Sequence, residues 1–178
     1  MSNYTLNHIF LRYSSHTVCG IKPASLFTVS SKDFSDSIFK NWKTVADNEK
    51  LSISVFEISC KTKMVFIYNT KWIKRIISES FVCTYLEGKG YPPSHDTEKM
   101  LEELFLRLKE RKSFPHEVGI FLGYPPEDVV KFEENQGRFC KYCGYWKSYC
   151  NPEEAKSKPP AQPVVCSAGV TLCYRPAL

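Results

Sequence analysis

Two adjacent stretches, Leu51-Ser-Ile-Ser-Val-Phe-Glu-Ile-Ser59 and Lys63-Met-Val-Phe-Ile-Tyr68, decide the fold of this chain. The first alternates apolar and polar residues at Leu51, Ile53 and Val55, the period of two that is typical of a half-buried strand. The second is apolar on successive residues, which is typical of a strand covered on both faces. Because only a short polar break separates them, the sequence predicts a β-hairpin whose second strand lies inside a sheet.

Strands and helices are also predicted on both sides of this hairpin. A short N-terminal helix is followed by Gly20-Ile-Lys-Pro23, which breaks it. Two further strands are expected at 25–30 and 116–122, the second because Val118-Gly-Ile-Phe-Leu122 is a continuous apolar run. Helices with an apolar face are expected near 34–46, 70–82, 94–112 and 126–136. We therefore expect an α/β (α+β) fold in a single domain: a small mixed β-sheet covered by helices.

The composition of the chain changes at about Ala155. Lys156-Ser-Lys-Pro-Pro-Ala-Gln-Pro163 is rich in proline, and the residues after it have no clear period. Such a segment lacks the pattern of a finished element. The sequence thus predicts one α/β domain over residues 1–155 and a loosely packed, atypical C-terminal tail over 156–178.

The overall composition is that of an ordinary globular protein, with 178 residues, 43% apolar and 24% charged. No apolar run approaches the roughly 20 residues of a membrane span, so we expect no membrane partner. The first residues, Met1-Ser-Asn-Tyr, lack the basic start and apolar core of a signal peptide. We therefore expect a cytoplasmic protein whose eight cysteines are reduced thiols or metal ligands rather than disulfides.

The net charge of +5 is concentrated in one half of the chain. Residues 1–90 hold twelve basic and seven acidic side chains, whereas residues 91–178 hold twelve of each. A basic face can attract nucleic acid or a nucleoprotein complex. The alternative is a solvated lysine-rich surface with no such partner.

The stretch Arg138-Phe-Cys-Lys-Tyr-Cys-Gly-Tyr-Trp-Lys-Ser-Tyr-Cys150 combines three cysteines with five aromatic residues. Its C-x2-C pair is half of a tetrahedral metal site, and Cys150 or His116 could add a ligand. Cys140, Cys143 and Cys150 are therefore candidate ligands of zinc or iron. The alternative is that these cysteines are small buried apolar groups and that the protein has no cofactor.

The run from Phe114 to Pro125 is the second unusual stretch. His116-Glu117 lacks the second histidine of a metalloprotease helix. Neither this run nor any other forms a complete catalytic set, so we expect no catalytic residue. Aromatic and basic side chains of this region could instead contact a partner or stack on bases. The candidate binding residues are His116, Glu117, Tyr124, Tyr142, Tyr145, Trp146 and Lys147.

Three blocks of the chain resemble an uncharacterised family of small cytoplasmic proteins from anaerobic Gram-positive bacteria. They are Gly20-Ile-Lys-Pro-Ala-Ser-Leu-Phe27, Phe114-Pro-His-Glu-Val-Gly-Ile-Phe-Leu-Gly-Tyr-Pro-Pro-Glu-Asp-Val129 and Cys143-Gly-Tyr-Trp-Lys147. The resemblance covers roughly residues 8–155 and implies a single α/β domain with no established activity. It also associates the chain with flavodoxin-like and iron-handling proteins. The chain departs from this resemblance at one place. Where members of the family resemble one another in a His-Cys-Ala-Pro segment, this chain has Tyr13-Ser-Ser-His16.

Three functional hypotheses follow. The first is a non-enzymatic cytoplasmic binding or accessory protein that presents residues 114–150 to a protein partner or small ligand, with iron or redox handling as its setting. The second is an interaction protein that inhibits or regulates a nucleic-acid-processing complex, such as a nuclease, through its basic and aromatic surface. The third is a metal- or thiol-dependent protein, including an enzyme, that uses Cys140, Cys143 and Cys150.

Overall fold

A computed structural model of the chain describes residues 3–93, 95–110, 114–144 and 146–157. The elements are, in chain order, α1 (Asn3–Val18), β1 (Ala24–Ser30), α2 (Asp36–Asn48), β2 (Ser52–Ser59), β3 (Thr62–Tyr68), α3 (Thr70–Ile77), α4 (Ser80–Gly88), α5 (Thr97–Lys109), α6 (Val118–Phe121), α7 (Pro126–Glu134), β4 (Tyr142–Cys143), β5 (Lys147–Ser148) and α8 (Pro152–Ser157). The fold is a mixed α/β arrangement, as expected. None of the helices in this described part of the chain is long and apolar enough to cross a membrane.

The predicted hairpin forms the middle of the fold. β2 and β3 pair antiparallel with Val55 opposite Val65, and β1 pairs antiparallel with the other edge of β3. The strand order is β1-β3-β2, so the continuous apolar strand is central, as predicted. The prediction of a mixed sheet was wrong. Both ladders are antiparallel because β3 lies between β1 and β2 and runs opposite to each of them.

Each face of the sheet carries its own core. Met64 and Phe66 point to a large cluster formed with helices α3 to α7. Val65 and Ile67, one residue out of phase, point to a second cluster formed with α1 and α2, in which Trp42 is the largest fully buried side chain. A strand between two cores needs apolar residues at every position, which explains the uninterrupted run that the sequence displays.

One long helix was predicted over 70–82, but two shorter helices, α3 and α4, are present. Ile73 and Ile77 of α3 and Val82 and Leu86 of α4 are all fully buried. The step of five residues from Ile77 to Val82 is longer than the three or four that keep one helix face buried. The chain therefore changes direction at Ser78–Glu79, where Glu79 is extended.

The strand predicted at 116–122 was wrong, because Val118–Phe121 is a single helical turn, α6. All four residues of this turn are buried, so the run has no polar face from which a helical period could be recognised. Gly119 is required for the packing. A Cβ atom there would lie 2.9 Å from Val129 Cγ2, so only glycine lets the turn approach α7 so closely.

The boundary predicted at residue 155 falls inside the short helix α8, whose Ala155 is buried. Residues 158–178, which make up most of the predicted tail, lie outside the described residues.

Candidate functional site

A groove of about 360 Å³ lies where three distant parts of the chain meet. Its first wall comes from the α1–β1 loop, its second from α3, and its third from the loop between α6 and α7 together with Trp146. Apolar side chains dominate its lining: Ile21, Pro23, Trp72, Ile76, Ile120, Leu122, Tyr124, Pro125, Pro126 and Trp146. Charged or titratable side chains also line it: His16, Lys22, Glu79 and Glu154.

Glycine and proline bring the first and third walls together. Gly123 adopts φ +88°, a left-handed conformation that favours glycine. A Cβ atom on Gly123 would lie 2.6 Å from Pro23 Cδ. The two loops can therefore pack this closely only because residue 123 has no side chain. The carbonyl oxygen of Pro23 accepts a 2.9 Å hydrogen bond from the Asn69 amide at the start of α3. This contact ties the α1–β1 loop to the second wall.

The position of Trp146 depends on one buried carboxylate. Asp128 Oδ2 accepts a 2.6 Å hydrogen bond from Trp146 Nε1. Asp128 Oδ1 accepts two more, at 2.8 Å from the Tyr149 amide and 2.9 Å from the Cys150 amide. Asp128 is 2% exposed and sits in the first turn of α7, so the carboxylate also lies at the positive end of that helix. The Asp128 carboxylate therefore attaches residues 146–150 to helix α7.

Trp146 and Tyr124 form a stacked pair at the end of the groove. Their ring centroids are 5.9 Å apart and the rings are inclined by 25°. Trp146 lines the groove although it is only 4% exposed. Behind the pair is a cavity of about 30 Å³ that His116, Phe132 and Lys147 also line. That volume suffices for one water molecule.

His116 stands between this small cavity and a second surface depression. Its ring packs edge-on against Phe132 at 5.0 Å, and its Nδ1 is buried with no hydrogen-bond partner among the residues described. Burial lowers the pKa of His116, against a smaller opposite influence of Glu133 and Glu117. A neutral imidazole with one unsatisfied nitrogen therefore faces the cavity.

Glu117 belongs to an internal ionic network rather than to the groove. Its Oε1 accepts hydrogen bonds from Arg107 Nη1 at 3.1 Å and from Tyr91 Oη at 3.2 Å. Lys89 Nζ lies 3.9 Å from the other oxygen and also bonds Glu133 at 2.8 Å. Burial, followed by the charge of Glu117, raises the pKa of the Tyr91 phenol. The network borders a depression of about 520 Å³ on the α4–α5 side.

The remaining predicted aromatic and basic residues are less accessible than the sequence suggested. Tyr149 is 7% exposed, and burial raises its pKa to about 12. Tyr142 is half-buried with Lys156 Nζ 5.9 Å from its ring centroid. Lys147 Nζ donates a 2.8 Å hydrogen bond to the Gly137 carbonyl. Tyr145 lies outside the described residues.

The three cysteines predicted as metal ligands divide into a close pair, Cys140 and Cys143, and a single residue, Cys150. Cys140 Sγ and Cys143 Sγ are 2.7 Å apart on the β4–β5 hairpin. Burial and the neighbouring Cys140 thiol raise the pKa of Cys143. Cys150 is exposed. Within the described ranges, no three His, Cys, Asp or Glu side chains gather as a metal site. A metal ion bound by Cys140 and Cys143 would therefore need further ligands from outside the described residues.

Several groove residues were not among the predicted site residues. Pro23 and Trp72 lay in the predicted helix break and in the helix predicted at 70–82, and Gly123 lay in the Phe114–Pro125 run without being singled out. Asp128 lay in the helix predicted near 126–136 and occupies the first turn of α7. The signal that could have drawn attention to it is the indole of Trp146, because a buried indole N–H needs an acceptor.

Comparison with known proteins identifies the family and nothing finer. The family model described as "Protein of unknown function (DUF3793)" matches residues 10–160, so the chain belongs to that family. This confirms the resemblance to an uncharacterised domain family. No curated protein and no solved structure matches the chain.

Proposed function

We propose that this member of the family is a non-enzymatic binding protein that holds a small ligand with a flat apolar body in the groove. The observation that carries the proposal is the convergence of three distant parts of the chain on one cavity: the α1–β1 loop, helix α3, and the α6–α7 loop together with Trp146. Close packing of Gly123 on Pro23 and the Asp128–Trp146 hydrogen bond set the shape of that cavity.

The size and lining of the groove support a small ligand. A volume of about 360 Å³ lies within the 300–1,000 Å³ range of ligand pockets. Trp72, Tyr124 and the prolines offer flat apolar surface, and charged groups border it. Such a lining favours an aromatic or alicyclic body that carries a polar substituent.

The two buried carboxylates nearest in sequence to the groove loop at 122–126 are committed to contacts within the protein, which supports a binding role rather than a catalytic one. Both oxygens of Asp128 accept hydrogen bonds from the protein, and Glu117 is paired with Arg107. General acid or base catalysis needs a group that can reach the ligand and exchange a proton with it. The cytoplasmic location, the iron or redox setting, and a protein partner stay predictions.

The nucleic-acid alternative gains no support from Trp146 or Tyr149. Base stacking needs an exposed ring face, whereas Trp146 and Tyr149 are buried. Regulation of a nucleic-acid-processing complex also stays a prediction, resting on the basic first half of the chain.

The groove can be tested with the fluorescent probe 1-anilinonaphthalene-8-sulfonate, which has an aromatic body and one charge. We expect saturable binding of one probe per chain, accompanied by a shift of the Trp146 indole resonance in an NMR titration. Ile21→Asp should weaken binding at least tenfold, because Ile21 lines the groove and is 61% exposed, so the fold tolerates the change.

Leu11→Asp is the matched control, since Leu11 is 58% exposed on α1 and does not line the groove. It should bind the probe as the wild type does. Equal weakening by both variants, or a wild type that binds no probe at saturable stoichiometry, would contradict the proposal.

A further inference from the structure

Cys140 and Cys143 are brought together by the fold around them. β4 pairs with β5 with Cys143 opposite Lys147, and the Lys141 amide donates a 2.9 Å hydrogen bond to the Ser148 carbonyl. Just before the pair, Phe139 adopts φ +60°, a left-handed turn that returns the chain toward the hairpin. The result is a separation of 2.7 Å between the two sulfur atoms, against about 2.05 Å in a disulfide bond.

Contacts other than the sulfurs hold this geometry. Lys147 Nζ bonds the Gly137 carbonyl, and the amides of Tyr149 and Cys150 bond Asp128. Both flanks of the pair are therefore attached to α7 or to the loop after it. Closing a bond between the two sulfurs needs a shift of well under 1 Å, so little backbone movement has to accompany it.

The other described cysteines lack such an arrangement. Cys19, Cys60 and Cys150 are exposed, and Cys83 Sγ contacts Glu87 Oε1 at 3.2 Å. Oxidation by a small disulfide should therefore be selective. A lone exposed thiol stops at the mixed disulfide, whereas a thiol with a neighbour in reach continues to an internal bond.

We propose that Cys140 and Cys143 are a reversible thiol–disulfide site on the β4 side of the β4–β5 hairpin, oxidised by a low-molecular-weight disulfide. One cysteine, as its thiolate, attacks the external disulfide, forming a mixed disulfide and releasing one thiol. The second cysteine then attacks the sulfur of the first, forming the Cys140–Cys143 bond and releasing the second thiol. Two cysteine sulfurs are oxidised, the external disulfide is reduced, and the two cysteine protons pass to the released thiols.

The bond would constrain the β4 side of the hairpin, next to the groove wall. Trp146 precedes β5, and its carbonyl accepts a 3.1 Å hydrogen bond from the Gly144 amide. Cys140 and Cys143 both lie before this turn, so a bond between them closes a small loop around the Lys141 amide, which donates to the Ser148 carbonyl. The inference rests on the hairpin geometry and not on the proposed ligand, so it stands or falls separately from the binding role.

The test equilibrates the full chain in graded mixtures of reduced and oxidised glutathione, quenches with acid, and maps the disulfides by peptide mass spectrometry. We expect a Cys140–Cys143 bond to be the first internal disulfide, at a mass loss of about 2 Da. In the oxidised protein, the amide of Lys141, which lies between the two cysteines and bonds the Ser148 carbonyl, should exchange hydrogen more slowly than in the reduced protein.

Cys143→Ser should instead accumulate a glutathione adduct on Cys140, and Cys60→Ser, which removes an exposed thiol, should oxidise as the wild type does. Wild-type mapping alone already decides the matter if Cys143→Ser fails to fold. The proposal is overturned if another cysteine pair closes first, if adducts persist on Cys140 or Cys143 without closure, or if both thiols are held by stoichiometric zinc.

Discussion

The sheet region (β1 to β3 with α1 and α2) and the C-terminal region (residues 114–144 and 146–157) are held together by different forces. In the sheet region, Val65 and Ile67 pack against an apolar cluster around Trp42. Trp42 lies 4.9 Å from Phe10 and 5.1 Å from Phe34 between ring centroids. The stability of the sheet region comes from apolar surface area removed from water, and this area is spread over many residues.

In the C-terminal region, α6 and α7 join the large apolar cluster, whereas the segment after α7 depends on a few buried polar atoms. The elements of this region are short, from two to nine residues. Asp128 alone accepts three hydrogen bonds from the residues that follow β4. In the sheet region, the loss of one apolar contact leaves the many other apolar contacts in place. In the C-terminal region, the loss of one acceptor leaves several buried donors without a hydrogen bond. The predictions below test this difference.

The largest expected effect is in the sheet region. Trp42→Ala should lower the free energy of unfolding by about 4 kcal/mol, because a fully buried indole leaves a cavity that the sheet cannot fill. Chemical denaturation followed by circular dichroism measures this change. Val45→Ala in the same helix is the control, since Val45 is 40% exposed, and it should cost far less. Similar losses in both variants would refute the assignment of Trp42 to the core.

The next effect is confined to the C-terminal region. Asp128→Ala should lower the free energy of opening this segment by about 3 kcal/mol, since three hydrogen bonds to a charged group are lost. That corresponds to more than a hundredfold increase in the open population. The rate of tryptic cleavage after Lys141 and Lys147 reports it. The exposed neighbour Glu127 serves as control, and cleavage of Glu127→Ala at the wild-type rate is expected.

A smaller effect is expected at the contact between the two regions. Gly123→Ala should lower stability by about 2 kcal/mol, because alanine is strained at a positive φ and its Cβ would overlap Pro23. It should also weaken probe binding in the groove. Gly88→Ala is the matched control, with no atom within 4 Å of the added Cβ. Equal thermal unfolding of both alanine variants would show that the loops do not touch as described.

The smallest effect is a dependence on pH. Burial holds the folded-state pKa of His116 below the ordinary histidine value of about 6.5. As pH falls from 7, the unfolded chain takes up this proton before the folded protein does. The free energy of unfolding should therefore decrease through 6.5 and level off below the folded pKa. Glu133 and Glu117 oppose the shift, and Lys89 reinforces it.

Denaturation curves between about pH 7.5 and about pH 5, which reach about one unit above and about one and a half units below the ordinary histidine pKa, measure this dependence. His116→Gln should remove part of the slope, and His95→Gln, at an exposed position, should leave it unchanged. A slope that is the same in all three proteins would place the responsible group elsewhere.

The sequence predicted the sheet region better than the C-terminal region for a physical reason. The period of β2 and the uninterrupted apolar run of β3 follow directly from which faces are buried. The turn at Val118–Phe121 is buried all round, so it carries no period and was mistaken for a strand. The role of Asp128 depends on a tryptophan eighteen residues later, and no local pattern reports such a contact.

The candidate site was predicted only in part. Tyr124 and Trp146 were recognised from their residue types, and both line the groove. Pro23 and Trp72 lie far from Trp146 along the chain, and only the folded arrangement brings them together. The C-x2-C spacing of Cys140 and Cys143 did indicate that their sulfurs approach each other.

Native-state hydrogen exchange in Asp128→Ala tests most directly whether one carboxylate holds the C-terminal region. The account predicts that the amides of Tyr149 and Cys150 lose their protection while those of Val65 and Ile67, in the central strand, keep theirs. Equal loss of protection in both regions, or unchanged protection at Tyr149 and Cys150, would contradict it.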